Sequence, residues 1–180
     1  MTGRIALAAI LHQGGRLAAA ALVAACAGMA GALAQGVPDF AAIVAAPDRS
    51  EADREIDKRR DPVKLLAFTG VRTGMKVLDM GAGGGYSTEL MVRGAGATGK
   101  VYAQNAAGLA GRSKERFDAR IQTPVMKAVV SLARPFDDPV PAEVRDLDLI
   151  TFFFAYHDVS YMQVDRAAMN RKLFAALRPG

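Results

Sequence analysis

The stretch Val77-Leu78-Asp79-Met80-Gly81-Ala82-Gly83-Gly84-Gly85-Tyr86 decides the fold. A short apolar, β-prone run ends in a loop with four glycines in five positions, and the residues from Tyr86 to Arg93 have the pattern of a helix. Glycine lets a backbone turn sharply and approach a ligand closely, because it has no side chain to block that approach. The stretch therefore predicts a strand, a ligand-binding loop and a helix.

Further strands and helices follow along the chain. Short strands are predicted at 101–103, around 128–130 and at 147–155, and helices at 113–122, with Ser113 as N-cap, and at 162–177. The segment 147–155 is apolar throughout, which is typical of a parallel strand buried on both faces. Strands that alternate with helices predict an α/β fold, a Rossmann-like open parallel sheet with flanking helices.

The first 34 residues have the pattern of a signal peptide. Arg4 and Arg16 supply a positive region, a small apolar run follows, and Ala32-Leu33-Ala34 has the A-x-A form of a cleavage site. We therefore expect residues 1–34 to be removed and the mature chain to be exported to the periplasm.

Two other functions are alternatives to a signal peptide for the same segment. The stretch Val23-Ala24-Ala25-Cys26 resembles a bacterial lipobox, which would make the protein a lipoprotein anchored through Cys26. A membrane-spanning helix is not expected, because the apolar run of 17 residues, 17–33, contains two glycines and is at the short limit of a span.

The amino-acid composition argues against several classes of function. The chain has 180 residues, 51% of them apolar and 23% charged, which fits one globular domain and excludes a disordered chain. The net charge of +5 becomes +3 without the two leader arginines, and the basic residues form no stripe, so nucleic acid is not an expected partner. The single cysteine lies in the leader and one histidine remains beyond it, so no metal site is expected.

A charged segment separates the leader from the strands. Residues 35–48 show little periodicity and predict an arm, and a helix is expected from Ser50, its N-cap, to Arg60. Acidic residues come first in this helix and basic residues last, which suits the helix macrodipole. Residues 35–60 thus form either a solvated helix or a lid over the binding loop.

Three kinds of nucleotide-binding loop are compatible with clustered glycines. A phosphate-binding P-loop is excluded, because no Gly-Lys-Ser/Thr follows Gly85. A dinucleotide loop remains open, although Tyr86 occupies the place of its third glycine and no acidic partner follows about twenty residues later. Asp79, two residues before the first glycine, would repel a pyrophosphate and tolerate a cationic ligand.

The stretch 77–86 resembles motif I of the class I S-adenosylmethionine-dependent methyltransferases. Four other segments fall in that family's order: 74–79, Gly99-Lys100-Val101-Tyr102-Ala103, Asp148-Leu149-Ile150 and Leu177-Arg178-Pro179-Gly180. Ala103-Gln104-Asn105 and Tyr156-His157-Asp158 further resemble exported bacterial predicted methyltransferases. The resemblance covers about residues 60–180.

This resemblance implies a methyltransferase-like domain at 61–180 and S-adenosyl-L-methionine as cofactor. The cofactor-binding residues that it implies are Asp79, Gly81, Ala82, Gly83, Gly84, Gly85, Gln104, Asn105, Asp137 and Asp138. Gln104 and Asn105 depart from the family, which usually has an acidic residue there to accept both ribose hydroxyls. Asp137 and Asp138 would meet the adenine amino group or are turn residues before Pro139.

The resemblance also implies strands beyond Leu177-Arg178-Pro179-Gly180, so we expect the domain to be incomplete, with strand order 3-2-1-4. Tyr156, His157 and Asp158 are the candidate catalytic residues, with His157 as a general base, although Asp158 could instead be a helix cap beside packed rings. The implied activity is methyl transfer to a small molecule. The alternative is a non-catalytic exported ligand-binding module, and a dehydrogenase remains a third hypothesis.

Overall fold

The computed structural model describes residues 36–180. The predicted leader, with Cys26, lies outside the described residues, so export and lipid anchoring stay predictions. Within 36–180, no helix combines the length and the apolarity that crossing a membrane requires.

The described chain alternates helices and strands. In chain order the elements are α1 (Phe40–Ala45), α2 (Glu51–Arg60), α3 (Pro62–Thr69), β1 (Lys76–Met80), α4 (Tyr86–Ala95), β2 (Lys100–Asn105), α5 (Gly111–Ile121), a 3₁₀ turn (Pro124–Met126), β3 (Val129–Ala133), β4 (Leu149–Thr151), α6 (Tyr156–Val159) and α7 (Arg166–Ala176). The strand, loop and helix predicted from the glycine-rich stretch are therefore β1, residues 81–85 and α4.

The four strands form one parallel sheet in the order β3-β2-β1-β4. Val77 of β1 lies opposite Val101 of β2 on one side and Leu149 of β4 on the other. The predicted fold class and strand order are confirmed. Because all four strands run in the same direction, their carboxyl ends meet at one edge of the sheet, and the glycine loop lies there.

The side chains of β1 alternate between two hydrophobic clusters. Val77 packs with Leu66 of α3 and Leu90 of α4 on one face of the sheet. Leu78 faces the other way and packs with Met169 of α7. This alternation follows from the two-residue period of a strand, and it leaves β1 covered by helices on both faces.

Two helices differ from the prediction. The segment expected to be an arm contains α1, whose first turn is capped by Asp39, with the side chain accepting a hydrogen bond from the backbone N–H of Ala42 at 3.0 Å. Helix α5 begins at Gly111, so Ser113 lies within its first turn and is not its N-cap. Helix α1 has six residues that are all apolar, and α5 is mostly polar, so in neither helix does a periodic apolar pattern mark the start.

The fourth strand is shorter than predicted. β4 ends at Thr151, whereas the apolar run continues to Ala155. Phe154 has φ 60°, a left-handed conformation that takes the chain out of the strand direction. Helix α7 likewise begins late, after Asp165, whose side chain accepts a hydrogen bond from the N–H of Ala168. The apolar run thus supplies a loop and the short helix α6 as well as the strand.

Candidate functional site

The glycine loop depends on backbone conformations that other residues adopt at a cost. Gly81, Gly83 and Gly85 have φ of 60°, 56° and 82°, all in the left-handed region. A Cβ at Gly85 would lie 2.9 Å from Cδ of Arg120, whereas a Cβ at Gly83 would meet only the carbonyl oxygen of Gly81, at 3.9 Å. Gly85 therefore permits close packing, and Gly83 leaves open space above the backbone.

Two amide side chains at the end of β2 hold this loop. Oε1 of Gln104 accepts a hydrogen bond from the N–H of Gly81 at 3.0 Å, and Nε2 donates to the carbonyl of Arg134 at 2.7 Å. Oδ1 of Asn105 accepts from the N–H of Gly83 at 2.7 Å, and its Nδ2 donates back to the carbonyl of Gly83. Both residues are buried and their amides fix the loop, while their predicted contact with a ribose stays a prediction.

Asp79 is fully buried at the end of β1. Its carboxylate accepts three hydrogen bonds, from the hydroxyls of Ser87 at 2.8 Å, Thr88 at 2.7 Å and Thr151 at 2.9 Å. Burial raises the pKa of Asp79, and the three hydroxyl donors oppose that rise. The side chain thus joins the start of α4 to β4, and its predicted role in binding the cofactor stays a prediction.

A cavity of about 850 Å³ lies beside the glycine loop. The residues of the loop that line it are Gly81, Ala82, Gly83 and Gly84. Helices α2 and α5 and the segment after β4 supply most of the remaining wall, including Ser50, Asp53, Ile56, Arg59, Arg60, Ser113, Arg116, Arg120, Phe153, Phe154 and Ala155. A cavity of this volume at the carboxyl edge of a parallel sheet suits a ligand of cofactor size.

A buried ionic cluster attaches helix α2 to the rest of this wall. Arg120 of α5 pairs with Asp53 of α2 at 2.6 Å and also with Glu89 of α4. Its Nε donates to the carbonyl of Gly84 at 3.0 Å. One guanidinium thus joins the charged helix, the glycine loop and α4, and places α2 where a lid would lie.

Tyr86, directly after the glycine loop, makes a second attachment to α2. Its hydroxyl donates to Oδ1 of Asp57 at 2.7 Å, and Asp57 also pairs with Arg49 at 2.5 Å. Burial, together with the hydrogen bond to Asp57, raises the pKa of Tyr86. Tyr86 therefore stays protonated as a donor and holds the second half of α2 against the loop.

The candidate catalytic residues lie outside the cavity wall. Tyr156, His157 and Asp158 belong to the exposed helix α6, where Nε2 of His157 lies 3.1 Å from Oδ1 of Asp158. The side chain of His157 is 71% exposed. Phe154 and Ala155, which immediately precede α6, do line the cavity. A catalytic role for the three residues stays a prediction.

Asp137 and Asp138 also lie away from the cavity wall. Asp138 pairs with Arg134 and, at 2.5 Å, with Lys172 of α7, so it joins the loop after β3 to α7. Asp137 is half-buried in the turn that precedes Pro139. Their proposed contact with an adenine stays a prediction. Among residues 36–180, no three His, Cys, Asp or Glu side chains are grouped closely enough to hold a metal ion.

Comparison with solved structures identifies the fold. An S-adenosylmethionine-dependent methyltransferase from Aquifex aeolicus is 24% identical, with a TM-score of 0.54, over 71% of this chain and 68% of that chain. TrmN from Thermus thermophilus is 21% identical, with a TM-score of 0.51, over 65% of this chain and 34% of that chain. The chain shares the fold of both proteins. The resemblance to class I methyltransferases is thus confirmed at the level of the fold, while the exported type and an incomplete domain stay predictions.

Comparison of sequences adds no further relative. No profile of a known protein family matches the chain, and no curated protein matches it. The chain spans about two thirds of the length of the Aquifex aeolicus protein and one third of that of the Thermus thermophilus protein.

Sequence reasoning found the glycine loop at the floor of the cavity and named residues 35–60 as a possible lid, but it missed the contribution of α5. The glycine loop was found because clustered glycines are a local pattern. Arg116 and Arg120 were missed, although their i,i+4 spacing on one helix indicates a shared face. Arg60 and Phe154 carried no such signal, because they are distant in sequence and meet only through the fold.

Proposed function

We propose that the chain is an S-adenosylmethionine-dependent methyltransferase that acts on a small-molecule acceptor. One observation carries the proposal: the backbone of Gly81, Gly83 and Gly84 opens onto a cavity of about 850 Å³ at the carboxyl edge of the parallel sheet. The fold that the chain shares with a methyltransferase from Aquifex aeolicus supports it.

The loop and the cavity fit the cofactor, and the polar side chains at the end of β2 support the loop. Open space above Gly83 allows a ligand to pack closely against its backbone, whose N–H and carbonyl are bonded to Asn105. Gln104 and Asn105 are already bonded to the loop and the β3 segment. The loop backbone would therefore pack against the cofactor, and polar contacts would come from the α2 and α5 wall, where Ser113 of α5 and Thr123, just after α5, supply hydroxyls.

S-adenosylmethionine, when bound, would supply a methyl group on a sulfonium sulfur for transfer to a nucleophilic atom of the acceptor, with S-adenosylhomocysteine as the leaving group. The protein's part in such a displacement is alignment and exclusion of water. The glycine loop would position the cofactor, and α2, held by Arg120 and Tyr86, would cover it as a lid.

A calorimetric titration of the full chain with S-adenosylhomocysteine tests the proposal, with NAD as the control ligand and circular dichroism to confirm folding. A matched pair of variants locates the site. Gly83→Leu and Gly70→Leu both replace a glycine with left-handed φ, 56° and 65°, in open space, so the backbone penalty is similar. Only Gly83 lines the cavity.

We expect S-adenosylhomocysteine to bind the wild type and the Gly70→Leu variant and to bind the Gly83→Leu variant at least about tenfold more weakly, a loss of about 1.4 kcal/mol. Binding of NAD alone would assign the loop to a dinucleotide. A folded chain that binds neither ligand would refute the proposal and favour the non-catalytic module.

A further inference from the structure

On the cavity wall, the carboxylates form ion pairs whereas most of the arginines do not. Every carboxylate that lines the cavity has a cationic partner: Asp48 pairs with Arg93, Asp53 with Arg120, Glu55 with Lys58, and Glu89 with both Arg93 and Arg120. Of the four arginines that line it, Arg59, Arg60 and Arg116 have no ion-pair partner among residues 36–180. Four carboxylates and four arginines line the wall, and three of those arginines are left without a carboxylate of the described chain in direct contact because Lys58 and Arg93, from outside the wall, pair with three of the carboxylates.

Arg60, the last residue of α2, is the least solvated of these three arginines. It is half-buried, and its guanidinium carbon lies 3.8 Å from the ring centroid of Phe154 and 5.1 Å from that of Tyr86. Burial lowers the pKa of Arg60, but a guanidinium in a protein stays charged. Stacking on aromatic rings fixes the plane of the group and leaves its edge, with its N–H donors, free for a ligand.

Phe154, the aromatic partner in this stack, has an unfavourable backbone conformation. Its φ of 60° is uncommon for an aromatic residue, and its side chain is about half exposed. Strained residues cluster at ligand-binding sites, where the surrounding structure maintains them. Phe154 and the stacked Arg60 therefore place an aromatic surface and a cation side by side on the cavity wall.

The charge of the cofactor indicates which ligand would meet this cation. S-adenosylmethionine carries a carboxylate, an ammonium and a sulfonium, so its net charge is positive and its binding would increase the positive charge in the cavity. A second ligand with a negative charge would pair with one of the three arginines that have no carboxylate partner among the described residues and would offset the charge of the cofactor.

From this arrangement we infer that the methyl acceptor is an anion, a carboxylate with an apolar or aromatic body, and that Arg60 binds its carboxylate while Phe154 packs against the body. This inference rests on the proposed function and names the substrate class for the same cavity. A guanidinium matches a carboxylate in a two-point hydrogen bond, which a lysine ammonium cannot make in the same geometry. Arg59 and Arg116 supply further positive charge at the exposed rim.

Benzoate and benzamide are the probes, because they have the same shape and differ in charge. Binding of each to the full chain is measured by NMR titration, with and without saturating S-adenosylhomocysteine. The variants are Arg60→Gln, Arg60→Lys and, as a matched control, Arg112→Gln, since Arg112 is exposed and lies outside the cavity wall. Circular dichroism confirms that each variant is folded.

We expect benzoate to bind at least about tenfold more tightly than benzamide, and Arg60→Gln to weaken benzoate about tenfold, as loss of a charged hydrogen-bonded pair implies. Arg60→Lys should recover part of that loss, while Arg112→Gln should change nothing. Added salt should weaken benzoate and not benzamide.

Several outcomes would overturn the inference. Equal binding of benzoate and benzamide would show that charge is not recognised, and unchanged benzoate binding in Arg60→Gln would show that another group binds it. If Arg60→Gln weakened S-adenosylhomocysteine as much as benzoate, the guanidinium would hold the cofactor's own carboxylate. Failure of S-adenosylhomocysteine to bind the wild type would refute the proposed function separately, whatever benzoate does.

Discussion

Two substitutions of the buried Asp79 distinguish the effect of its charge on stability from the effect of its hydrogen bonds. The carboxylate has three hydroxyl donors and no cationic partner among the described residues. Asp79→Ala would leave three buried hydroxyls without this acceptor, and an unsatisfied buried group costs about 1–3 kcal/mol. Thr151 also lies 3.5 Å from the carbonyl of Leu78, and helical hydroxyls can bond to the preceding turn, so we expect a total loss of about 3 kcal/mol.

Asp79→Asn keeps the shape and an acceptor oxygen but removes the charge. Because burial raises the pKa of Asp79 above its ordinary value of 3.8, the folded state binds the proton more tightly than the unfolded state does. The stability that this carboxyl contributes is therefore greatest below pH 3.8 and decreases as the pH rises through the folded pKa. The asparagine does not titrate, so the advantage of the wild type over Asp79→Asn should shrink as the pH rises.

Urea unfolding followed by circular dichroism, at about pH 4.5 and about pH 8, measures both effects. We expect Asp79→Asn to cost less than about 1 kcal/mol at pH 8, much less than Asp79→Ala. Equal losses for the two variants, or a wild-type advantage that grows with pH, would refute the reasoning, because either result would mean that the folded structure stabilises the ionised carboxylate.

Two further substitutions test the attachment of α2 and the support of the loop. Arg120→Met should lower the free energy of unfolding by about 3 kcal/mol, because it leaves two buried carboxylates without this partner, and Arg112→Met on the same helix should change it by less than about 0.5 kcal/mol. Gln104→Glu places a carboxylate oxygen where an N–H now donates to a carbonyl, so we expect a loss of about 2 kcal/mol in the same urea titration, whereas exposed Gln122→Glu should cost little. A fully stable Arg120→Met or Gln104→Glu would contradict these assignments.

The strand, the glycine loop and the helix at 76–95 could be predicted from the sequence because their signals are local. Glycines at three left-handed positions and an apolar run before them leave few other structures for the backbone. The order of the strands also followed from the alternation of strands and helices and from the family resemblance. The end of β4 could not be predicted, since the apolar run continues past Thr151 and does not show where the chain turns.

The roles of the polar site residues could not be predicted because distant contacts decide them. Asp79 meets Thr151, 72 positions away, and Gln104 meets Arg134, 30 positions away. Asp53 lies in a charge run that is typical of a solvated helix, yet its side chain is 3% exposed because Arg120 of α5 pairs with it. A sequence gives the kinds of groups available, and the fold decides which of them bond to one another.

The polar side chains at the cavity floor form hydrogen bonds within the protein, and this affects which residues could recognise a ligand. Asp79, Gln104 and Asn105 have their hydrogen-bonding capacity directed at the loop and its neighbours, so they stabilise the shape of the cavity floor and leave little for a ligand. For the proposed ligands, polar recognition would then come mainly from the opposite wall, where Arg60 has no ion-pair partner among residues 36–180. Helix α2 would therefore select the ligand as well as cover it, and changes in α2 should alter substrate choice while the glycine loop keeps its shape.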